Sequence, residues 1–303
     1  MPSKVIEQRP LDEEYAKTGV SPSDIAALRQ WLKTQPHLPD KYITDLELIL
    51  AYYSCYKSSE VSKQVIDLHY TLRTLFTNLF HNRLVDDNFI RTMNVILGFP
   101  IETRTSKDYK VIYFRLIDYD AKNFVFSEAV RAAIMLIDLM QYEDGAWKGF
   151  VILIDLNRVT LSHIARLDLQ TIQQLLYYLQ EAMLVRLKGL HFLNAPSFID
   201  RLMMLLRPFM KKELMDMLKI HQVGATTLED TIPIDALPRE AGGKSNTFEE
   251  IKNEMIEKLI ANKDFFVEEN KRRVTESLRP GKPKTITDIF GGIEGSFKKL
   301  DID

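Results

Sequence analysis

The chain has a single cysteine, Cys55, among 303 residues, so no intrachain disulfide can form and a reducing compartment is the simplest setting. A lone cysteine offers no pair for a zinc site, and a small core residue is its ordinary role. An excess of charge of one sign is also lacking: 40 Lys and Arg stand against 42 Asp and Glu, a formal net charge of -2. That balance gives no bulk attraction for nucleic acid, and an anionic partner would have to be met by a local basic patch. No stretch reaches the roughly 18 uninterrupted apolar residues of a membrane span, and the start, MPSKVIEQRPLDEEYAK, lacks the apolar core of a signal peptide. These absences lead us to expect a cytoplasmic protein whose membrane contact is peripheral.

Catalytic and cofactor signatures are missing as well. Gly243-Lys244-Ser245 ends like a phosphate loop, but the loop's first glycine would fall at Pro238, and no apolar strand leads directly into it. No G-x-S-x-G elbow supplies a hydrolase serine. His37, His69, His81, His163, His191 and His221 are scattered without the close pairing of a metal site. Asp86-Asp87 and Asp118/Asp120 fall in expected loops, where solvated carboxylates are the default. We expect no enzyme, no metal and no cofactor.

What is present is an ordinary globular composition, 46% hydrophobic and 27% charged, in a chain long enough for a large core. After a polar lead over residues 1–20, Ser21-Pro22-Ser23-Asp24 caps a helix carrying Ile25, Leu28 and Leu32. A second helix carries Leu46, Ile49, Leu50 and Tyr53, and a third Val61, Val65, Leu68, Leu72 and Leu75, which predicts a small helical bundle over 21–95. From Tyr109 the period changes. Residues 109–117 and 149–156 read as strands, the second buried on both faces, with helices expected over 126–142 and 168–183. A strand over 186–194 follows, and a helix over 211–223 runs into an edge strand. Strands separated by helices of this length need crossovers, so 96–246 should form a mainly parallel sheet flanked by helices. A charged helix is expected over 247–270, and an extended tail to residue 303.

The most informative stretch is 185–210, VRLKGLHFLNAPSFIDRLMMLLRPFM. A buried strand ends in Asn194-Ala195-Pro196, and the helix after it is apolar nearly all round until Arg207-Pro208 breaks it. A helix of that kind needs two apolar neighbours. Stripes at Val130, Ala133, Ile134 and Ile137, and at Leu175, Tyr178 and Leu179, suit either a cavity wall or a plain core face, since both obey one periodicity.

Several ordered motifs go further: Gly149 with Val151-Ile152-Leu153-Ile154-Asp155-Leu156, Thr160 and His163-Ile164; Lys188-Gly189-Leu190-His191-Phe192-Leu193-Asn194-Ala195-Pro196; Arg207-Pro208-Phe209; and Leu237-Pro238-Arg239-Glu240-Ala241-Gly242-Gly243. Together they resemble the CRAL-TRIO lipid-binding domain, the family of tocopherol and retinaldehyde transfer proteins, and the ending 290–303 resembles the tails of its insect members. The resemblance covers roughly residues 21–260. It implies a hydrophobic pocket between the sheet and a mobile gate helix at 198–206, and a carrier that moves a small hydrophobic lipid between membranes. Retinoids, carotenoids and tocopherols are all of that kind. Carried over from the tocopherol-transfer pattern, the lining would be Val130, Ala133, Ile137, Phe150, Ile154, Leu167, Leu175, Tyr178, Met183, Val185, Leu190, Leu202, Leu205 and Met210. Phe198, Leu202 and Leu205 would meet the membrane. Ala133 and Ile137 stand where that pattern has serines, so the pocket should be more apolar. The arginine pair that phosphoinositide-exchanging members carry is replaced here by Tyr53-Ser54-Cys55-Tyr56-Lys57, which leaves Arg186, Lys188, Lys211, Lys212 and Lys219 as the phosphoinositide contacts on offer. The expected partners are a lipid and a transient membrane surface, with no nucleic acid, and the expected state is a monomer. The alternatives are a regulatory or scaffold module with a filled pocket, sensing phosphoinositide membranes, and an enzyme on small lipids, for which His163, His191 and Asp155 are the polar residues nearest the pocket.

Overall fold

A computed structural model describes residues 5–291. The chain begins with helix α1 (Leu11–Thr18), where the sequence reading placed a polar lead. The lead is anchored rather than loose: the buried Glu14 carboxylate accepts a hydrogen bond from the Ala146 backbone N–H at 2.8 Å. Helices α2 (Pro22–Leu32) and α3 (Asp45–Ser54) start at capping boxes on Ser21 and Thr44, each closed by an acidic residue three positions on. With α4 (Ser59–Leu75) they pack Ile25, Leu28, Leu32, Leu46, Ile49 and Ile66 into one core. Short helices α5 (Thr77–Phe80) and α6 (Asp87–Met93) lead into the sheet.

The sheet has five strands in sequential order: β1 (Ile96–Ile101), β2 (Lys110–Leu116), β3 (Phe150–Asp155), β4 (Leu187–Ala195) and β5 (Leu218–Gln222). Strands β2 to β5 are parallel, joined through α7 (Phe126–Asp144), α8 (Leu161–Ile164) with α9 (Leu169–Glu181), and α10 (Ile199–Leu206) with α11 (Lys212–Met217). β1 pairs antiparallel with β2. It is a strand the sequence reading passed over, because Gly98 and Pro100 look like breakers; at a sheet edge Pro100 costs no ladder bond that matters. Gly98 is needed as well, since a Cβ there would stand 2.6 Å from the Phe114 ring and 2.8 Å from Leu136 of α7.

Register assigns the faces. Ile112, Phe114, Ile152, Ile154, Leu190 and Phe192 share one face, against α7 and α10. The opposite face carries Tyr113, Arg115, Asp155 and His191 and is covered by α12 (Phe248–Ala261), whose Phe248 ring lies 4.1 Å from the Arg115 guanidinium. The expected helix over 247–270 is two, α12 and α13 (Lys263–Glu269), divided at Asn262. The expected helix over 211–223 is only α11, after which β5 begins. The tail is not extended throughout: residues 286–290 form α14 (Ile286–Phe290), and most of 290–303 lies outside the described residues.

Candidate functional site: helix α10 over the inner sheet face

Helix α10 is the feature the site is built on. Its Leu202 and Met203, 7% and 1% exposed, pack with Phe192 and Leu156 in a small apolar cluster separate from the main core. Between that cluster and the main core runs a seam of side chains that pack against both and stay half-buried: Ile154, Val159, Leu167, Leu206, Met210 and Leu218. A close-packed interior leaves few such residues, so the seam marks the boundary between α10 and the main core. Leu237 to Ser245 form a tight turn nearby in sequence, in which Gly242 adopts φ +90° and a Cβ on Gly243 would stand 1.9 Å from the Leu237 carbonyl oxygen.

Apart from Leu202, which belongs to the small cluster, the expected lining residues divide into three groups. Ile154, Leu167 and Met210 lie on the seam, with Leu205 half-buried beside the main core. Val130, Ile137, Phe150, Val185 and Leu190 are fully buried in that core, with Ala133 and Leu175 half-buried on α7 and α9. Tyr178 and Met183 belong to the same core but lie toward the helical bundle. They border a small cavity of about 50 Å³ at the junction with the bundle, where the Tyr178 hydroxyl accepts hydrogen bonds from Arg73 Nε (3.1 Å) and Nη2 (2.7 Å). The apolar spacing of Tyr178 on α9 could not reveal that a bundle arginine captures its hydroxyl. Val159, Leu206 and Leu218, which were not anticipated as lining, complete the seam.

The outer face of α10 carries an apolar residue not singled out in the sequence. Leu202 turns inward, Phe198 is a half-buried N-cap, and the apolar side chain offered to solvent is Met204, 72% exposed. Val223 and Ile220 at the open edge of β5 are exposed too.

The basic residues do not converge. The Arg186 guanidinium lies over the rings of Tyr53 (4.9 Å) and Tyr56 (4.4 Å), and Lys188 Nζ donates to the Tyr56 hydroxyl at 3.1 Å. Together Lys188 and Arg186 draw the Tyr56 phenol below its ordinary range. Lys211 pairs with Glu181 and Lys212 with Asp216, each at 2.5 Å, while Lys219 is exposed on the edge strand. Thus Tyr53 and Tyr56 cover Arg186 and Lys188, the basic residues on β4 and its approach.

The polar residues of the enzyme alternative do not meet either. Asp155 is saturated by Tyr113 Oη (2.6 Å), Arg115 Nη1 (3.1 Å), Asn194 Nδ2 (2.8 Å) and the Asn157 N–H (2.9 Å). His163 accepts from the Thr160 N–H at the start of α8. His191 pairs with His221 across 3.1 Å on the face away from α10. Burial holds the His163, His191 and His221 imidazoles below the ordinary range, His191 at about 4. Among the described residues no group of three metal-ligating side chains occurs, and no helix is long and apolar enough to cross a membrane.

On the other side of α9 the structure is of a different kind. Arg73 of α4 bridges Asp138 of α7 (2.8 Å) and Glu269 of α13 (2.8 Å), and Arg83 reaches both carboxylates (2.7 and 3.1 Å). Arg273 adds a third guanidinium at 2.9 Å from Glu269. Burial by itself would raise both carboxyls, but the surrounding guanidiniums outweigh it and hold Asp138 and Glu269 below the usual carboxylate range. The network ties bundle, sheet layer and C-terminal helices together.

With this geometry in place the relatives can be compared. Residues 97–243 match the CRAL/TRIO domain. These residues are a CRAL/TRIO domain. Residues 19–90, from just before α2 into α6, match a domain described as Pinta-like, UBA domain. Clavesin-1 of Xenopus laevis is 25% identical over 224 residues, 73% of this chain and 67% of its own length. The alpha-tocopherol transfer protein-like protein of Homo sapiens is 24% identical over 258 residues, 85% of this chain and 68% of its own. The chain thus matches about two thirds of these relatives' lengths. Among solved structures, Sfh5 superposes with a TM-score of 0.45 at 11% identity, over 91% of this chain and 96% of that one.

Proposed function

We propose that this protein binds a small hydrophobic lipid between the inner sheet face and α10 and transfers it between membranes, without catalysis. The single observation that carries the reading is the half-buried seam of Ile154, Val159, Leu167, Leu206, Met210 and Leu218, along which α10 can separate from the core. The name of one relative, alpha-tocopherol transfer protein-like, points the same way. A ligand entering along this seam would lie against Ile154, Leu167, Leu205 and Met210, with Val130, Ala133, Ile137, Phe150, Leu175, Val185 and Leu190 behind them. Burying on the order of 400 Å² of ligand would contribute about 10 kcal/mol at ~25 cal/mol/Å², before association costs remove several. Selectivity would then rest on shape. Opening exposes Leu202 and Leu205 beside the already exposed Met204, and a bilayer that accepts them offsets the cost, so transfer is a population shift. We place the protein in the cytoplasm, as a monomer in transient contact with membranes. The covered Arg186 and Lys188 lend no support to phosphoinositide recognition.

The test is organic extraction and mass spectrometry of the protein after incubation with a total lipid extract of its source, beside a Leu202→Asp control whose folding is checked by circular dichroism. One stoichiometrically enriched lipid, absent from the folded control, is the expected result. A second reading, a scaffold module with a filled pocket, is favoured by the complete burial of Val130, Ile137, Phe150 and Leu190 in the main core. No enrichment by folded wild-type protein would select it.

A further inference from the structure

Tyr56 stands in the turn between α3 and α4, 71% exposed, more than any other tyrosine of the chain. Its hydroxyl accepts from Lys188 Nζ at 3.1 Å, and the Arg186 guanidinium lies 4.4 Å from its ring centre. Gly149 helps to place the lysine: a Cβ there would stand 2.5 Å from Lys188 Cγ, so the lysine stem lies flat across the glycine. The contacts of the two cations are tyrosine rings and one phenol, and neither has a carboxylate partner among the described residues. The buried Arg186 Nε has no acceptor among them either. The neighbouring Lys57 is occupied elsewhere, its Nζ donating to the Gly19 carbonyl at 2.7 Å.

Two cations without carboxylates, converging on one exposed phenol, make a place for negative charge. The oxygen already responds, since the Lys188 hydrogen bond, with the charges of Lys188 and Arg186 behind it, draws the phenol below its ordinary range. The turn is also accessible to an enzyme. Tyr56 and Lys57 both hold left-handed backbone, at φ +53° and +63°, an unfavourable conformation for residues that carry a Cβ. The segment between α3 and α4 therefore loses little when it is drawn out into the extended form that a kinase accepts.

We propose that Tyr56 is a phosphorylation site whose phosphate is received by Lys188 and Arg186. In the step a tyrosine kinase would catalyse, the phenol oxygen attacks the γ-phosphorus of a nucleoside triphosphate. The bond from that phosphorus to the bridging oxygen breaks, the diphosphate leaves, and the phenolic proton passes to a base of the kinase. Phosphotyrosine carries about −1.5 to −2 charge at neutral pH, which the two cations match. The new phosphorus is bonded to the oxygen that Lys188 already holds, so pairing needs no rearrangement of the backbone. Tyr56 belongs to the bundle, whereas Lys188 lies on β4 and Arg186 directly precedes it. The modified side chain thus becomes an ionic clasp between bundle and sheet, and it removes two unpaired positive charges from the surface. None of this depends on lipid carriage.

The test uses full-length protein treated with a broad-specificity tyrosine kinase and magnesium ATP, with the sites mapped by tandem mass spectrometry. Tyr56 is expected to carry several-fold more phosphate than Tyr42 or Tyr119, the other exposed tyrosines. The form modified at Tyr56 is then titrated by phosphorus NMR. A phosphate held by two cations should lose its second proton at about pH 4–5 rather than at the ordinary value of about 6. Lys188→Gln, with folding checked by circular dichroism, should raise that value again, and Arg186→Gln serves as the second variant. No incorporation, incorporation led by another tyrosine, or an ordinary titration overturns the proposal, as does a low value that both variants leave in place.

Discussion

Helix α9 stands between two joints that are built by opposite means. On the bundle side, three arginines and two carboxylates form a buried network in which each carboxylate is held by at least two guanidiniums. On the α10 side, a handful of apolar side chains meet across a seam that stays half-buried. Desolvated charges tolerate almost no displacement, because a partner lost there leaves a buried charge uncompensated. Apolar contacts of modest area can open and re-form, and another apolar medium can take their place. The protein thus puts its rigid connection where three elements of the chain must stay together, and its soft one over the inner sheet face.

The largest effect should come from breaking the rigid joint. Asp138→Ala leaves Arg73, Arg83 and Arg273 to share the single carboxylate of Glu269 and is expected to cost about 3–5 kcal/mol, measured by urea unfolding; a loss below ~1 kcal/mol would mean the network is a bystander. Acid should reach the fold by a second route, on the order of a few kcal/mol. Burial lowers His69 to about 3 and His191 to about 4 from an ordinary 6.5. The unfolded chain then binds protons that the folded one refuses. This contribution is intact above pH 6.5 and is lost as pH falls through 6.5 toward 4, for His191, and toward 3, for His69. The same rule, with a lower window, applies to Asp138 and Glu269, whose depressed carboxyls protect the fold above the unfolded carboxylate range and fail only in stronger acid. Between pH 6.5 and 4.5 the slope of stability against pH therefore reports the histidines, and His191→Gln should make it shallower. On the soft side, Leu202→Ala should cost about 2 kcal/mol, the low end for a buried leucine, because a peripheral cluster relaxes more readily than the main core.

The contrast between the joints also explains what the sequence could and could not disclose. The parallel sheet was legible, since 149–156 and 186–194 are apolar runs of strand length bounded by turn residues and separated by helical periods. The position of α10 after β4 was legible too, from Pro196 and from Arg207-Pro208. Its orientation was not: with apolar residues nearly all round, nothing local distinguishes Leu202, which turns in, from Met204, which turns out. The rigid joint was invisible for another reason. Arg73, Arg83, Asp138 and Glu269 each sit in an unremarkable stretch, and only the tertiary fold converts four ordinary charged residues into one network, which also engages the Tyr178 hydroxyl. α1 was hidden because its acidic first turn reads as solvated, whereas Glu14 is buried against the Ala146 N–H.

The smallest effect on stability should carry the most information. Met204→Asp changes a side chain that is 72% exposed and belongs to neither apolar cluster, so the unfolding free energy should move by no more than ~0.5 kcal/mol. If α10 meets a bilayer, however, Met204 is the first apolar side chain to enter it, and an aspartate there gives up the apolar transfer gain and adds the cost of bringing a carboxylate to the interface. Co-sedimentation with neutral vesicles should then fall several-fold while the melting temperature stays put. A similar loss from Val223→Asp at the β5 edge would enlarge the contact surface to include that edge. Unchanged sedimentation for Met204→Asp would detach the outer face of α10 from membranes and leave the soft joint to serve only the inner face.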